Sequence, residues 1–291
     1  MIKLFICVIS KILVFLLLLN NIALANNFLL DENDKLFIKT SNSGFTSHKN
    51  FMSQNDYNFK YIRDNSKARA GDYLQKFELR DGDCFGDDNW SDCANDRQRI
   101  ELSSEPNQTV TGKQCYGYSI KLSNSFTDIR KVSTTLGQIH QKGGPYGKAN
   151  SLPSFPPLIQ IDARKGNLYL NWHKLSGSRD DVKDDSKYYK LKTLKSMKGV
   201  WTDISLCLDF ENKRIDAWVD GNNVIKISKS PIFFEPESIY FKHGIYQSFI
   251  SKYTSFKGKT PTQIVYYDEV RRGNSIEEVD LNINPSLKFV D

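Results

Sequence analysis

Over much of its length the chain alternates apolar and polar residues with a period of two. The stretches YLQKFELRD (73–81), QCYGYSIKLS (114–123), NLYLNWHKL (167–175), WTDISLCLDF (201–210), KRIDAWVDG (213–221) and TQIVYYDEV (262–270) each run for a strand length. Such alternation puts one side of a strand against a core and the other toward water. Turn signals separate them: RDGD, GGPYG, SGSRDD, DFENK and DGNN. KRIDAWVDGNNVIKIS (213–228) reads as a hairpin. Helical periodicity is scarce and no strand–helix–strand order occurs. The pattern therefore predicts an all-β domain built as a two-sheet antiparallel sandwich. Residues 26–56 are polar and Asn/Ser-rich and read as a lead-in to a domain spanning 57–291. The Gly- and Pro-rich segment 141–157 and the segment 176–199 are expected to be loops, the second a solvated one holding the densest basic patch, VKDDSKYYKLKTLKSMK (182–198).

The first 25 residues depart from this pattern. Lys3 precedes an apolar run from Ile12 to Leu19, and the segment closes on Ala23-Leu24-Ala25. This is the layout of a secretory signal peptide cleaved after Ala25. The apolar run is too short to span about 30 Å of hydrocarbon, so no membrane span is expected after cleavage. The chain is accordingly expected to be secreted or periplasmic. Of its 40 basic residues, Lys3 and Lys11 fall in this segment and no acid does, which leaves 38 against 34, a net charge of +4. That mild excess suits an anionic partner but lacks the concentrated basic stripe of a nucleic-acid binder. In an oxidising compartment Cys84 and Cys93, which bracket CFGDDNWSDC, are expected to pair. Cys115 and Cys207 lie in strand-like runs and either pair or stay as buried thiols. No cysteine or histidine spacing supports a metal site.

Three stretches concentrate polar chemistry on strands. In DRQRIELSSE (96–105), Arg99, Glu101 and Ser103 share a face. In LGQIHQKGG (136–144), Gln138 and His140 share a face. In YFKHGIYQS (240–248), Tyr240, Lys242, Gly244 and Tyr246 share one face while His243 points the other way, a structural position. Each signal alone is weak. Together they place a cation, an amide, an imidazole and a phenol where one concave sheet could gather them. That inventory suits β-elimination from a 4-linked uronate: neutralise the C6 carboxylate, remove the C5 proton, protonate the departing O4. A phenol needs nearby cations to lower its pKa before it can act as a base, and Lys242 is the expected source. Glu101 is the one carboxylate in the three stretches and is expected to orient Arg99 or Lys242.

RIEL, QIH and YFKHGIY together resemble the signature strands of jelly-roll polysaccharide lyases. The ordered set GDCFGDDNWSDCANDRQRIEL, QIH, PPLIQIDARKGNLYL, WTDISLCLDF, AWVDG and FKHGIY is similar to the glucuronan lyase and heparin lyase I-like group, related to the alginate lyases. It covers about residues 57–275. Where alginate lyases have Asn after the final tyrosine, this chain has Gln247-Ser248, which favours the glucuronan/heparin-like branch. The resemblance implies a concanavalin-like jelly roll with a concave substrate-binding face. It further implies that Arg99 and Gln138 bind the uronate carboxylate, that His140 is the base or assists it, and that Tyr246 protonates the leaving oxygen; which of the two takes the proton follows the C5 configuration, and in a syn elimination Tyr246 could do both. Lys242 becomes a subsite or pKa-tuning residue. Tyr240, Glu101, Lys142 and Trp172 complete the candidate substrate contacts; Trp172 with His173 is either a sugar-stacking platform or, as is commoner for tryptophan in a sandwich, part of the core. Sandwiches of this kind often hold a structural calcium, but the sequence offers no ligand set for one, and no cofactor is expected to be required. The resulting expectation is a monomeric, exported lyase acting on an anionic, uronate-containing polysaccharide. The rival class is a non-catalytic, lectin-like sandwich; a glycoside hydrolase would need a carboxylate pair that the three stretches lack.

Overall fold

The computed structural model describes residues 55–289 apart from 85, 87–90, 105–107, 130, 143–154 and 179–180. The expected signal peptide, nearly all of the lead-in and most of the segment 141–157 lie outside the described residues.

Among the described residues, thirteen strands form two antiparallel sheets. The seven-stranded sheet runs β1 (Phe59–Arg63), β2 (Tyr73–Leu79), β13 (Gln263–Gly273), β4 (Lys113–Leu122), β9 (Thr202–Asp209), β10 (Arg214–Val219), β11 (Asn222–Ile227). The six-stranded sheet runs β3 (Arg97–Ser103), β12 (Ser238–Ser248), β5 (Ser133–Lys142), β6 (Ile159–Arg164), β7 (Asn167–Ser178), β8 (Asp181–Thr193). One short helix, α1 (Ser251–Lys257), follows β12. Each alternating stretch of the sequence lies on a strand, and the sandwich architecture is as expected.

The inward face of the six-stranded sheet carries Ile100, Leu102, Ile139, Ile161, Leu170, Phe241 and Ile245, all buried in one core with Phe77, Tyr118, Leu206, Val265 and Tyr267 from the opposite sheet. Burying each such side chain contributes roughly 1.5–3 kcal/mol. Tyr267 also anchors the site strands from behind: its hydroxyl lies 2.6 Å from the carbonyl of Leu136 on β5 and 2.7 Å from that of Gly244 on β12. Between β12 and β5 the register slips by one residue between His243 and Tyr246. Gly244 sits in this bulge at φ 135°, where an added Cβ would come 2.3 Å from the Ile100 carbonyl oxygen. Glycine is required there, and the bulge re-aims the end of β12 without changing its pairing with β3.

Two expectations are corrected. Residues 182–198 are not a solvated loop: most of them form β8, an edge strand paired along its length with β7. Its charge density disguised it, and charge on an edge strand discourages edge-to-edge aggregation. Trp172 is 5% exposed and belongs to the core with Leu168 and Leu170, so it offers no stacking surface. The same alternation turns His173 to the outer, concave face, where it lines the cleft.

Both cysteine pairs are disulfides. Cys84–Cys93 closes the loop before β3, as expected. Cys115 and Cys207 are directly opposite each other on β4 and β9, which settles the open alternative in favour of pairing.

Candidate active site

The register of three neighbouring strands builds the site. Antiparallel pairing sets Arg99 beside Tyr246 and Glu101 beside Gly244, across β3 and β12. On the other side of β12, Lys242 lies beside Gln138 and Tyr240 beside His140. Because parity is kept on each strand, these side chains all rise from the concave face, into a cleft of about 1510 Å³.

Glu101 is the hub. It is 1% exposed, and its carboxylate takes Lys242 Nζ at 2.6 Å on Oε2 and the Gln138 side-chain amide at 2.5 Å on Oε1. Arg99 Nη1 is 3.4 Å from Oε2. Burial alone would raise the Glu101 pKa, but Lys242 and Arg99 outweigh it and hold the carboxyl below its usual value. An enclosed, fully engaged carboxylate orients its neighbours and does not meet a sugar, which corrects its place among the substrate contacts. The Glu101–Lys242 pair also moves Lys242 from its expected role as the cation tuning the Tyr246 phenol.

Two arginines take that role. Arg97 Nε donates to Tyr246 Oη at 2.7 Å, and the Arg99 guanidinium lies 4.4 Å from the centre of the Tyr246 ring. Burial raises the Tyr246 pKa; Arg99 and then Arg97 pull it back, and the net direction is up. An arginine is only a donor, so the phenol oxygen accepts from Arg97 and its own proton is left to point elsewhere. The arginines are held by the disulfide loop and by the turn that follows it. Asp92, fully buried, clamps Arg99 through two 2.6 Å hydrogen bonds, from Nε and from Nη2, and the Asn95 carbonyl accepts from Arg97 Nη1 at 2.6 Å.

His140 stacks on Tyr240 with ring centres 5.3 Å apart. Its pKa falls to about 4, first through burial and then through the Lys242 charge, so the imidazole is neutral at neutral pH. Nδ1 is 2.9 Å from both the N and the O of Gln141. In the tautomer that donates Nδ1–H to that carbonyl, Nε2 keeps a lone pair. Tyr240 lines the cleft, and burial lifts its pKa to about 12.

Across β6 to β8 the floor continues as a hydrogen-bonded row. Thr135 donates to Asp162 at 2.7 Å, Gln160 Nε2 donates to Thr135 Oγ1 at 3.0 Å, and His173 lies between Gln160 Oε1 and Asp184 Oδ2, each at 2.7 Å.

Of the expected residues, Arg99, Gln138, His140, Tyr240, Lys242 and Tyr246 converge. Lys142 is exposed at the end of β5 and is not among the described residues lining the cleft. His243 is buried with Nε2 2.7 Å from Gln75 Oε1, the structural position its parity requires. Sequence reasoning missed Arg97 and Asp92. Arg97 shares the parity of Arg99, a signal that was available; Asp92 lies in a loop whose path no periodicity reveals. No group of three or more His, Cys, Asp or Glu side chains among the described residues is arranged to hold a metal ion.

The fold and this row of groups define a β-sandwich enzyme with a polar concave cleft. A family model described as polysaccharide lyase matches residues 41–271, and the chain belongs to that family. It is a polysaccharide lyase. Among solved structures, the endo-β-1,4-glucuronan lyase of the fungus Trichoderma reesei is similar at 17% identity and a TM-score of 0.57, over 80% of this chain and 93% of that one. The family 7 alginate lyase A1-II′ is similar at 14% identity and a TM-score of 0.49, over 76% and 82%. A search of curated proteins gives no match.

Proposed function

We propose that the chain cleaves a uronate-containing polysaccharide by β-elimination, with His140 as base and Tyr246 as acid. The observation that carries this reading is that two adjacent strands present an imidazole and a phenol to one cleft, His140 beside Tyr240 and Tyr246 beside Arg99. His140, its pKa lowered to about 4, is a neutral acceptor. Tyr246, its pKa raised and its oxygen already accepting from Arg97, is a protonated donor.

In the proposed reaction the uronate carboxylate meets the guanidinium of Arg99 and the amide of Gln138. These groups are held by Asp92 and Glu101, so they need little reorganisation as charge builds toward the enolate. His140 Nε2 takes the C5 proton. The electrons of that C–H bond form C4=C5, the C4–O4 bond breaks, and O4 leaves with its electron pair and takes the Tyr246 proton. The phenolate that remains is stabilised by Arg97 and Arg99. The raised Tyr246 pKa argues against the variant in which one tyrosine serves as both base and acid, since that requires a phenolate at the outset. The steps use protein side chains alone.

An anionic substrate is supported by the cleft lining, where Arg97, Lys131, Arg164, Lys165 and Lys252 stand beside the Asp92-paired Arg99 and the Glu101-paired Lys242, against Asp128 and Asp184 as the lining carboxylates among the described residues. The glucuronan lyase likeness makes a β-1,4-glucuronan the first polymer to test. Two disulfides support export to an oxidising compartment after removal of residues 1–25. A lectin-like binder has no use for the acid and base pair.

The test is incubation of the mature protein with glucuronan, alginate and heparin-type polymers. Rising near-ultraviolet absorbance from a 4,5-unsaturated uronate is expected on at least one, and its absence on all three from a folded protein that binds them sinks the lyase mechanism. Tyr246→Phe and His140→Ala are each expected to abolish turnover and keep binding; full activity in either removes that residue from the mechanism.

A further inference from the structure

Phe249, one residue past β12, is 48% exposed and lines the cleft. Its φ is 64°, the left-handed region that a bulky L-residue rarely adopts and glycine adopts freely. The turn is pinned through Asp96, whose backbone carbonyl accepts from Phe249 N–H at 3.0 Å and whose carboxylate accepts from Ser251 N at 2.7 Å and Ser251 Oγ at 2.8 Å. None of these bonds involves the phenyl ring. A large exposed ring on backbone suited to glycine, at the margin of a binding cleft, is an outlier that calls for a use at the surface.

Its neighbour supplies the complementary chemistry. Lys252 lines the same cleft, with Nζ 3.9 Å from the centre of the Phe249 ring. The arrangement recurs at the other end of the sheet: Tyr188 on β8 is 44% exposed and lines the cleft, and the Arg164 guanidinium lies 4.2 Å from its ring centre. An aromatic face suits the C–H face of a pyranose, and a cation beside it suits the carboxylate of a uronic acid.

We propose that Phe249 and Lys252 form a subsite for a uronate unit of the polymer that is not the one being cleaved. Phe249 is three positions beyond Tyr246, at most about 10 Å at about 3.3 Å per residue, so the sugar on its ring is placed one unit beyond the two joined by the bond that breaks. Binding at such a distance is made equally in ground and transition states. Its loss falls on KM rather than on kcat. The proposal rests on the uronate lyase reading above.

The test compares Phe249→Gly and Phe249→Tyr with the wild type on polymer and on a size series of uronate oligomers. Phe249→Gly is expected to hold or raise Tm, because the turn relaxes, while KM for polymer rises about tenfold, equivalent to about 1.4 kcal/mol. KM for the shortest cleavable oligomer is expected to stay put, and Phe249→Tyr to restore the polymer value. A parallel calorimetric titration of oligomers into Tyr246→Phe, with and without Phe249→Gly, reads the same affinity loss without turnover. A wild-type protein that makes no unsaturated product fails the lyase reading, whereas the titration still decides the subsite. Unchanged polymer affinity in Phe249→Gly, or an equal loss for every oligomer length, overturns the proposal.

Discussion

Replacing Arg97 by Gln tests the acid assignment most directly. Arg97 gives Tyr246 a 2.7 Å charged hydrogen bond and leaves the phenol proton free for the substrate. As the proton departs, that bond is made to a developing phenolate, so it strengthens in the transition state. A hydrogen bond to a charged group contributes about 1.5–3 kcal/mol, and the half-buried setting of Arg97 places it at the lower end. At 1.36 kcal/mol per tenfold, a loss of about 1.5 kcal/mol predicts roughly a tenfold fall in the plateau kcat. The pH dependence carries a sign. Arg97 lowers the Tyr246 pKa, so its removal raises that pKa. Activity needs the protonated phenol, and the alkaline limb of the pH profile must therefore move up in pH even as the plateau falls. Arg97→Lys, which keeps the charge, should move both less. The assay is the initial rate of ultraviolet absorbance increase across a pH series, with Tm measured in parallel. An alkaline limb that stays fixed or moves down while the rate falls would refute Tyr246 as the acid tuned by Arg97.

Glu101→Ala leaves the buried Lys242 without its counter-ion and is expected to cost about 3–5 kcal/mol in urea denaturation, and a cost below about 1 kcal/mol would contradict its position as hub. Because the folded pKa of Glu101 is depressed, its contribution is complete above the unfolded value near 4.3 and is lost as pH falls through the lower folded value. Stability of the wild type should therefore drop more steeply on acidification through that window than that of Glu101→Gln. Opening the Cys84–Cys93 loop by Cys84→Ser with Cys93→Ser removes a closure over a sequence separation of 9, worth about 3 kcal/mol. Since Asp92 and Asn95 hold the two arginines, kcat should fall at temperatures where circular dichroism still reports a folded chain; full kcat in the folded double variant would separate the loop from the site.

Alternation alone placed Arg99 with Glu101, Gln138 with His140, and Lys242 with Tyr246 on common faces, and turned His243 away. The same rule, applied to LYLNWHKL, already put Trp172 in phase with Leu168 and Leu170, so of its two readings the core one was legible. It was silent on β8, because charged residues fill most of this edge strand and only Tyr189 and Leu191 among its described residues pack against the core, too few to show a period.

What the sequence determined by itself is therefore the strand faces, the sandwich that must bury them, and the inventory of groups offered to a cleft. Those follow from the local pleat, which depends only on neighbours along the chain. The tertiary structure decided which of those groups touch. It set Lys242 on Glu101 and Arg97 on Tyr246, brought Asp92 under Arg99, and lifted Phe249 to the rim. Strand order, the one-residue bulge at Gly244 and the path of the disulfide loop join residues up to about 150 positions apart. A charge meets its partner in three dimensions, and proton affinities follow the partner and the burial rather than the residue's neighbours in the sequence.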